Sequence, residues 1–254
     1  MIQKIDKLPY KQKKLTKISF AAWSIHSDIL YLTPFRGETF ILLLKGSIDI
    51  EANNSFTASL SKRSNVFNGK PKGVFIPAGY NINIKSKELS EIAVCSSLQK
   101  PKTKYLKPFK TNSKKAIYQL RGKERYKRKV INILDETDKA DFLLIGETIS
   151  QKGMWSSYPP HKHDTFLKNQ EHQLEELYFY KIANHNSFGL QTIYSPRNKY
   201  EKCFRVKNND VIYIPFGYHP VAAPPDSKFY YLWILSGENR KLLYNDFPHR
   251  VSKP

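Results

Sequence analysis

Two five-residue turns of nearly the same wording, IPAGY at Ile76–Tyr80 and IPFGY at Ile214–Tyr218, stand at matching places in the two halves of the chain. Each closes a short apolar run, and the flanking segments alternate apolar and polar residues. In the first half, TFILLLKGSIDIEANN reads as an apolar strand, a break at Gly46, an alternating strand and an Asn-Asn turn. GVFIPAGYNINIKS then gives strand, turn and strict alternation through Ile82 and Ile84. The second half repeats the layout with EELYFYKI, FGLQTIYS, DVIYIPFGYHPVAA and KFYYLWIL. Period-2 patterning marks half-buried strands, and a repeated order of them marks an internal duplication. Many short strands cut by Gly/Pro turns, in two copies, predict an all-β chain of two barrels or sandwiches.

A length of 254 residues suits two units of roughly 100–130 residues each. The segment Leu98–Lys115, rich in Lys and Pro and poor in periodicity, reads as the crossing between them. The expected division is therefore residues 1–110 and 111–254. No apolar run approaches the ~20 residues of a membrane span, and the basic N-terminus lacks the apolar stretch of a signal peptide. Cys95 and Cys203 fall in unrelated contexts, which suits a reducing compartment. A cytoplasmic protein with no membrane partner is the expectation. The formal charge of +20 raises nucleic acid as a partner. Yet the excess is lysine scattered from end to end, with only nine arginines, and no cluster of base-reading residues stands out. No specific nucleic-acid site is expected; some help in attracting an anionic substrate is compatible with this charge.

The chemistry-bearing residues lie in the second half. In WSSYPPHKHD, His161 and His163 are one residue apart. On a strand both imidazoles share a face and Lys162 takes the other. Glu175 and Glu176 follow, then His219 directly after the second turn. If ELYFY enters a barrel at Glu176, alternation turns Tyr178 and Tyr180 inward as well. Three imidazoles and a carboxylate are a ligand set for Zn, Mn, Fe or Ni. Pattern alone does not choose between Glu175 and Glu176, and His172 is a spare candidate in a polar loop.

The order H-x-H, Glu, distant His is that of the cupin motifs. The blocks WSSYPPHKHD, LEELYFYKI, PFGYHPVAAP and YYLWILSG closely resemble the bacterial 5-deoxy-glucuronate isomerase family of myo-inositol catabolism. SKRSNVFNGKPKGVFIPAG and LRGKERYKRKVINIL resemble that family's first half and inter-domain crossing, so the likeness runs from about Trp23 to His249. It implies a bicupin, two tandem double-stranded β-helix barrels, with one divalent metal in the second barrel held by His161, His163, Glu176 and His219. Zn2+ or Mn2+ is the expected ion, with Fe2+ or Ni2+ as alternatives. The first barrel has no H-x-H, and Asn81 follows Tyr80 where His219 follows Tyr218, so a structural role is expected there. Met154, Phe216 and Trp233 depart from the family pattern. Trp233 is similar to a sister family, the 4-deoxy-5-hexulose-uronate isomerases of pectin breakdown.

The implied reaction converts 5-deoxy-glucuronate to 5-dehydro-2-deoxy-gluconate through an enediolate. A divalent ion stabilises the charged oxygen and a base moves the proton. Glu176, Tyr178, Tyr180 and Tyr231 are the candidate catalytic groups. Arg197, Arg205 and Arg240 are the candidates for the substrate carboxylate, since a guanidinium fork matches it. A homo-oligomer acting on a small uronate is the expected form, with a non-catalytic sugar-binding cupin as the rival class.

Overall fold

The computed structural model describes residues 1–111 and 118–246. The end of the predicted crossing, residues 112–115, and His249 at the limit of the family likeness lie outside them. The described chain is strands and turns with one short 3-10 turn at Glu124–Tyr126. No helix among the described residues is long and apolar enough to cross a membrane.

The duplication is visible in strand order. The first half runs Ile18–Ile25, Ser90–Ser97, Thr39–Ala52, Lys72–Ile76 across its main sheet. The second runs Leu143–Ser150, Phe229–Ser236, Glu175–Ile182, Val211–Ile214 in the same order. Both repeated turns leave the last strand of that series. Facing sheets complete the barrels. In the second half the facing strands are Trp155–Ser156, Val221–Ala222, Gly189–Ser195 and Tyr200–Val206.

Gly46 does not end a strand, as its position in the sequence predicts. Thr39–Ala52 is one 14-residue strand whose register shifts on either side of Gly46. Its first part pairs in the main sheet and its second part pairs with Phe56–Arg63 and Ile82–Ser86. At φ +85° only glycine sits without strain, and a Cβ there would overlap the Ser90 hydroxyl. The glycine thus lets one strand serve two sheets through a bulge.

Alternation divides the core into three bodies. Ile41 and Leu43 face the first lumen with Ile48, Ile50, Ile82, Ile84 and Ile92. Phe40, Leu42 and Leu44 face the other way and pack with Ile131, Leu143, Phe179, Tyr230 and Leu232 of the second half. The first barrel is therefore filled by aliphatic side chains, and its back is the second barrel's support. In the second half Tyr231, Trp233 and Leu235 turn into the lumen while Tyr230, Leu232 and Ile234 turn to the first half.

Polar groups also cross between the halves. Arg63 and Glu147, both fully buried, form a two-pronged ion pair at 2.8 Å. Arg63 also donates to the Leu43 carbonyl at 2.7 Å, and the Tyr230 hydroxyl donates to Glu147 at 2.8 Å. Glu38 accepts the backbone N–H groups of Asp141, Phe142 and Leu143 at 2.7–2.8 Å, capping the start of a second-half strand. Burial raises the Glu38 carboxyl above its ordinary value despite those three bonds.

Gly146 fixes the position of Trp233, its cross-strand partner. A Cβ on Gly146 would overlap the Trp233 indole and the Ile131 carbonyl oxygen. Because one obstacle is backbone, Gly146→Ala is expected to lower stability by roughly 1–3 kcal/mol. It should also push Trp233 toward the lumen and lower turnover. Urea unfolding beside a kinetic assay checks both; an alanine variant of unchanged midpoint and turnover would show that the contact yields without cost.

Candidate metal centre and active site

His161 and Lys162 form a two-residue strand paired with Asn245–Asp246. The alternation expected from the sequence holds. The two imidazoles face a common centre, and Lys162 turns away to Asp164 (2.7 Å) and to both oxygens of buried Glu171 (2.8 Å). Glu171 also accepts the N–H groups of Asp164 and Thr165 at 2.8 Å, and Asp164 accepts the N–H of Gly217 at 2.8 Å. This chain of bonds fastens the His161–His163 segment to the turn that presents His219. At φ +88°, Gly217 lets that turn close against the Tyr194 carbonyl.

The ligand-capable nitrogens of His161, His163 and His219 lie within 4.8 Å of one another. Glu176 reaches the same centre, 3.0 Å from His163 Nε2 and 3.1 Å from His219 Nε2. The strand phase separates the two glutamates. Glu176 points into the lumen, whereas Glu175 accepts from Thr16 N (2.8 Å), Thr16 Oγ1 (2.6 Å) and Lys17 N (2.8 Å) of the N-terminal segment. His172 lies apart, stacked on Phe166.

The donor set fits a cation. His163 Nδ1 donates to the Leu174 carbonyl (3.1 Å) and His219 Nδ1 to the Gly217 carbonyl (2.8 Å). Carbonyls only accept, so each Nδ1 carries a proton, and in the neutral ring the inward Nε2 is then the lone-pair atom that a metal takes. The inward Nε2 atoms point at the Glu176 carboxylate, and that of His163 stands at hydrogen-bond distance from it, 3.0 Å. His219 Nε2 is buried without a hydrogen-bond partner, although it lies near Glu176. A divalent ion satisfies lone pairs and carboxylate together. Burial lowers the His161 imidazole well below its usual value, and the neighbouring His219 and His163 lower it further. Burial alone would raise the Glu176 carboxyl, but His163 and His219 hold it at about 2.

A cleft opens beside this centre. Its lining includes Arg121, Arg128, Thr148, Tyr178, Tyr231 and Trp233 with His161, His163 and Glu176. Tyr231 bonds the Ser156 hydroxyl at 2.6 Å, and Tyr178 lies 3.3 Å from that of Ser157. Burial raises both phenols, Tyr178 well above its ordinary value with a further push from Glu176. Tyr180 is also inward but does not line the cleft; its hydroxyl donates to Gln191 deeper in the barrel.

The arginines expected from sequence stand elsewhere. Arg197 is exposed in a turn. Arg205 is exposed on its strand and lies over Phe188. Arg240 spends its guanidinium on the carbonyls of Leu143, Asp138 and Asp135, tying a loop rather than facing the cleft. Among the described residues, the arginines that line the cleft are Arg121 and Arg128. In the sequence they are hidden in a basic run, and only the pairing of its two strands turns them to the lumen.

The model of the KduI/IolB family matches residues 11–251. The chain belongs to the KduI/IolB family. Its similarity to the 5-deoxy-glucuronate isomerase of Geobacillus kaustophilus is 35% identity over 83% of this chain and 76% of that one. For the 5-deoxy-glucuronate isomerase of Bacillus subtilis the identity is 30%, over 98% and 92% of the two chains. Among solved structures, an IolB-like protein from Salmonella typhimurium superposes with a TM-score of 0.87 at 30% identity, covering 92% of this chain and 89% of that one. Oxalate decarboxylase matches at a TM-score of 0.63 and 12% identity over 90% and 71%, a likeness of fold alone. These agree with the all-β bicupin architecture that the repeated turns predict.

Proposed function

We propose that this KduI/IolB-family chain is an aldose–ketose isomerase that converts 5-deoxy-glucuronate to 5-dehydro-2-deoxy-gluconate. The carrying observation is the buried centre where the inward Nε2 atoms of His163 and His219 meet the Glu176 carboxylate, each with its Nδ1 on a backbone carbonyl. His161, His163, Glu176 and His219 would hold one divalent ion, Zn2+ or Mn2+ by preference. When bound, such an ion polarises the sugar carbonyl and stabilises the enediolate oxygen.

The chain's own groups supply the rest. Glu176 contributes negative charge at the floor of the cleft. Tyr178 and Tyr231 line the cleft, each with its hydroxyl against a serine, and are the groups we assign to hand a proton to or from the sugar oxygens. Trp233 and Leu235 wall off the lumen and limit water around a reactive intermediate. The Lys162–Glu171–Asp164 bonds keep the histidines in register without touching substrate. Residues 1–110 act as a ligand-free structural barrel and residues 111–254 as the catalytic one. The protein works in the cytoplasm as a homo-oligomer.

Trp233, which lines the same cleft and resembles the sister family at its position, supports a second reading, turnover of 4-deoxy-5-hexulose-uronate. Steady-state assays on both uronates test the choice. The expected result is a kcat/KM at least tenfold higher for 5-deoxy-glucuronate; the reverse ratio would move the assignment to the sister substrate. The +20 charge is expected to give only weak duplex-DNA binding that falls steeply with salt. Titrations at 50 and 150 mM salt check this, and nanomolar, sequence-dependent binding at the higher salt would contradict it.

A further inference from the structure

The strand Gln119–Arg121 pairs with Arg128–Leu134 so that Arg121 and Arg128 are direct cross-strand partners. Two like charges opposite one another disfavour the pairing unless something compensates them. Among the described residues neither guanidinium has a carboxylate within ion-pair distance. Arg128 Nη1 donates to the carbonyls of Tyr126 (3.1 Å) and Tyr158 (3.0 Å). Arg121 Nε and Nη2 donate to the Gln119 side-chain oxygen at 3.0 and 2.7 Å. Those contacts orient both forks and leave Arg128 Nε and Nη2, and Arg121 Nη1, without an acceptor among the described residues.

Both arginines line the cleft that holds the histidine–glutamate centre. Arg128 begins the strand that is three steps from the Glu176 strand in the second-half sheet, and the register sets it in line with Ile182 rather than with Glu176. The cationic pair and the metal-ligand set therefore stand at different places along the sheet and line one cleft. Between them the lining is Val130, Thr148, Tyr231 and Trp233. The hairpin adds Lys123, Arg125, Lys127 and Lys129 around the pair, against Glu124 alone, which raises the local concentration of anions.

We propose that Arg121 and Arg128 form the subsite for the carboxylate of the open-chain sugar acid, with Arg128 the specificity-determining member. The proposal rests on the isomerase reading above. A carboxylate between the two forks accepts charge-assisted bonds from both and offsets their repulsion. It also fixes the direction of the substrate, since the acid end then lies at the arginine pair and the aldehyde end at the histidines. A hexose with a hydroxymethyl group in place of the carboxylate would leave both guanidinium groups uncompensated, and discrimination follows.

Arg128 also holds the Tyr158 carbonyl near His161, so the test must separate recognition from support. It compares 5-deoxy-glucuronate with 5-deoxy-glucose, its uncharged counterpart, in the metal-loaded wild type and in Arg128→Met and Arg128→Lys. Calorimetric binding of D-glucuronate and D-glucose is measured in parallel. Removing the fork is expected to raise KM for the acid about 10- to 100-fold with a smaller change in kcat. The preference for acid over neutral sugar should collapse in Arg128→Met and return in part in Arg128→Lys. Equal losses on both sugars, with the preference intact, would show that Arg128 only supports the loop and would overturn the proposal. If the wild type turns over neither sugar yet binds glucuronate through Arg128, the isomerase reading falls and the carboxylate subsite stands. If the wild type neither prefers the acid nor binds glucuronate, the subsite is refuted.

Discussion

His219→Ala should leave the purified protein with little bound metal and little turnover, while the wild type carries about one divalent ion per chain. The imidazole lost is fully buried, and its Nδ1 is anchored to the Gly217 carbonyl, which fixes its Nε2 toward the centre. Removing one of four ligands weakens such a site by far more than the 10- to 100-fold typical of losing a group that merely orients a ligand. The fold should persist, because the residue sits at the end of a turn and not in the packed layer between the barrels. Metal analysis after gel filtration, with circular dichroism on the same sample, checks the expectation. Full metal retention in a folded His219→Ala variant would show that the ligand set is wrong.

Arg63→Met is the second large effect, and it is one of stability. The substitution leaves Glu147, itself fully buried, without its guanidinium partner and with only the Tyr230 hydroxyl. An uncompensated buried carboxylate costs about 3–5 kcal/mol, a large share of the stability of an ordinary domain. The double variant Arg63→Met with Glu147→Leu removes both charges and should recover most of that loss, since an apolar pair can replace a buried ion pair nearly neutrally. Chemical denaturation of the four proteins in this cycle gives the coupling. A single variant as stable as the wild type would mean that the pair is unimportant. A double variant no better than the single one would mean that lost packing, not the stranded charge, is responsible.

What the sequence discloses depends on which physical rule each residue obeys. His161, His163 and Lys162 were readable because alternation on a strand is unconditional, and Tyr178 followed Glu176 inward for the same reason. The duplication was readable because turn residues mark the same corner in both barrels. Which face of Phe40–Leu44 fills the first lumen was not, since a strand buried on both sides carries no polar face to set its phase. Gly46 looked like a strand end because the same positive φ that ends strands also makes bulges. Glu175 and Glu176 were separable only once the phase of their strand was known. Arg121 and Arg128 were missed because a basic run in a lysine-rich chain looks like solvated surface; their meaning comes from a cross-strand pairing. Glu38 and Arg63 serve partners about 100 and 84 positions away in the chain, beyond any local pattern.

The account stands on the second barrel being an isomerase site that moves a proton between adjacent carbons of a sugar acid. The most direct measurement follows 5-deoxy-glucuronate by proton and carbon NMR in D2O, with protein supplied with a divalent metal. The predicted result is loss of the aldehyde signal and growth of a ketose whose new hydroxymethyl carbon carries deuterium, with both changes stopped by a chelator and absent in His219→Ala. An aldehyde signal that persists unchanged with folded, metal-replete protein would contradict it.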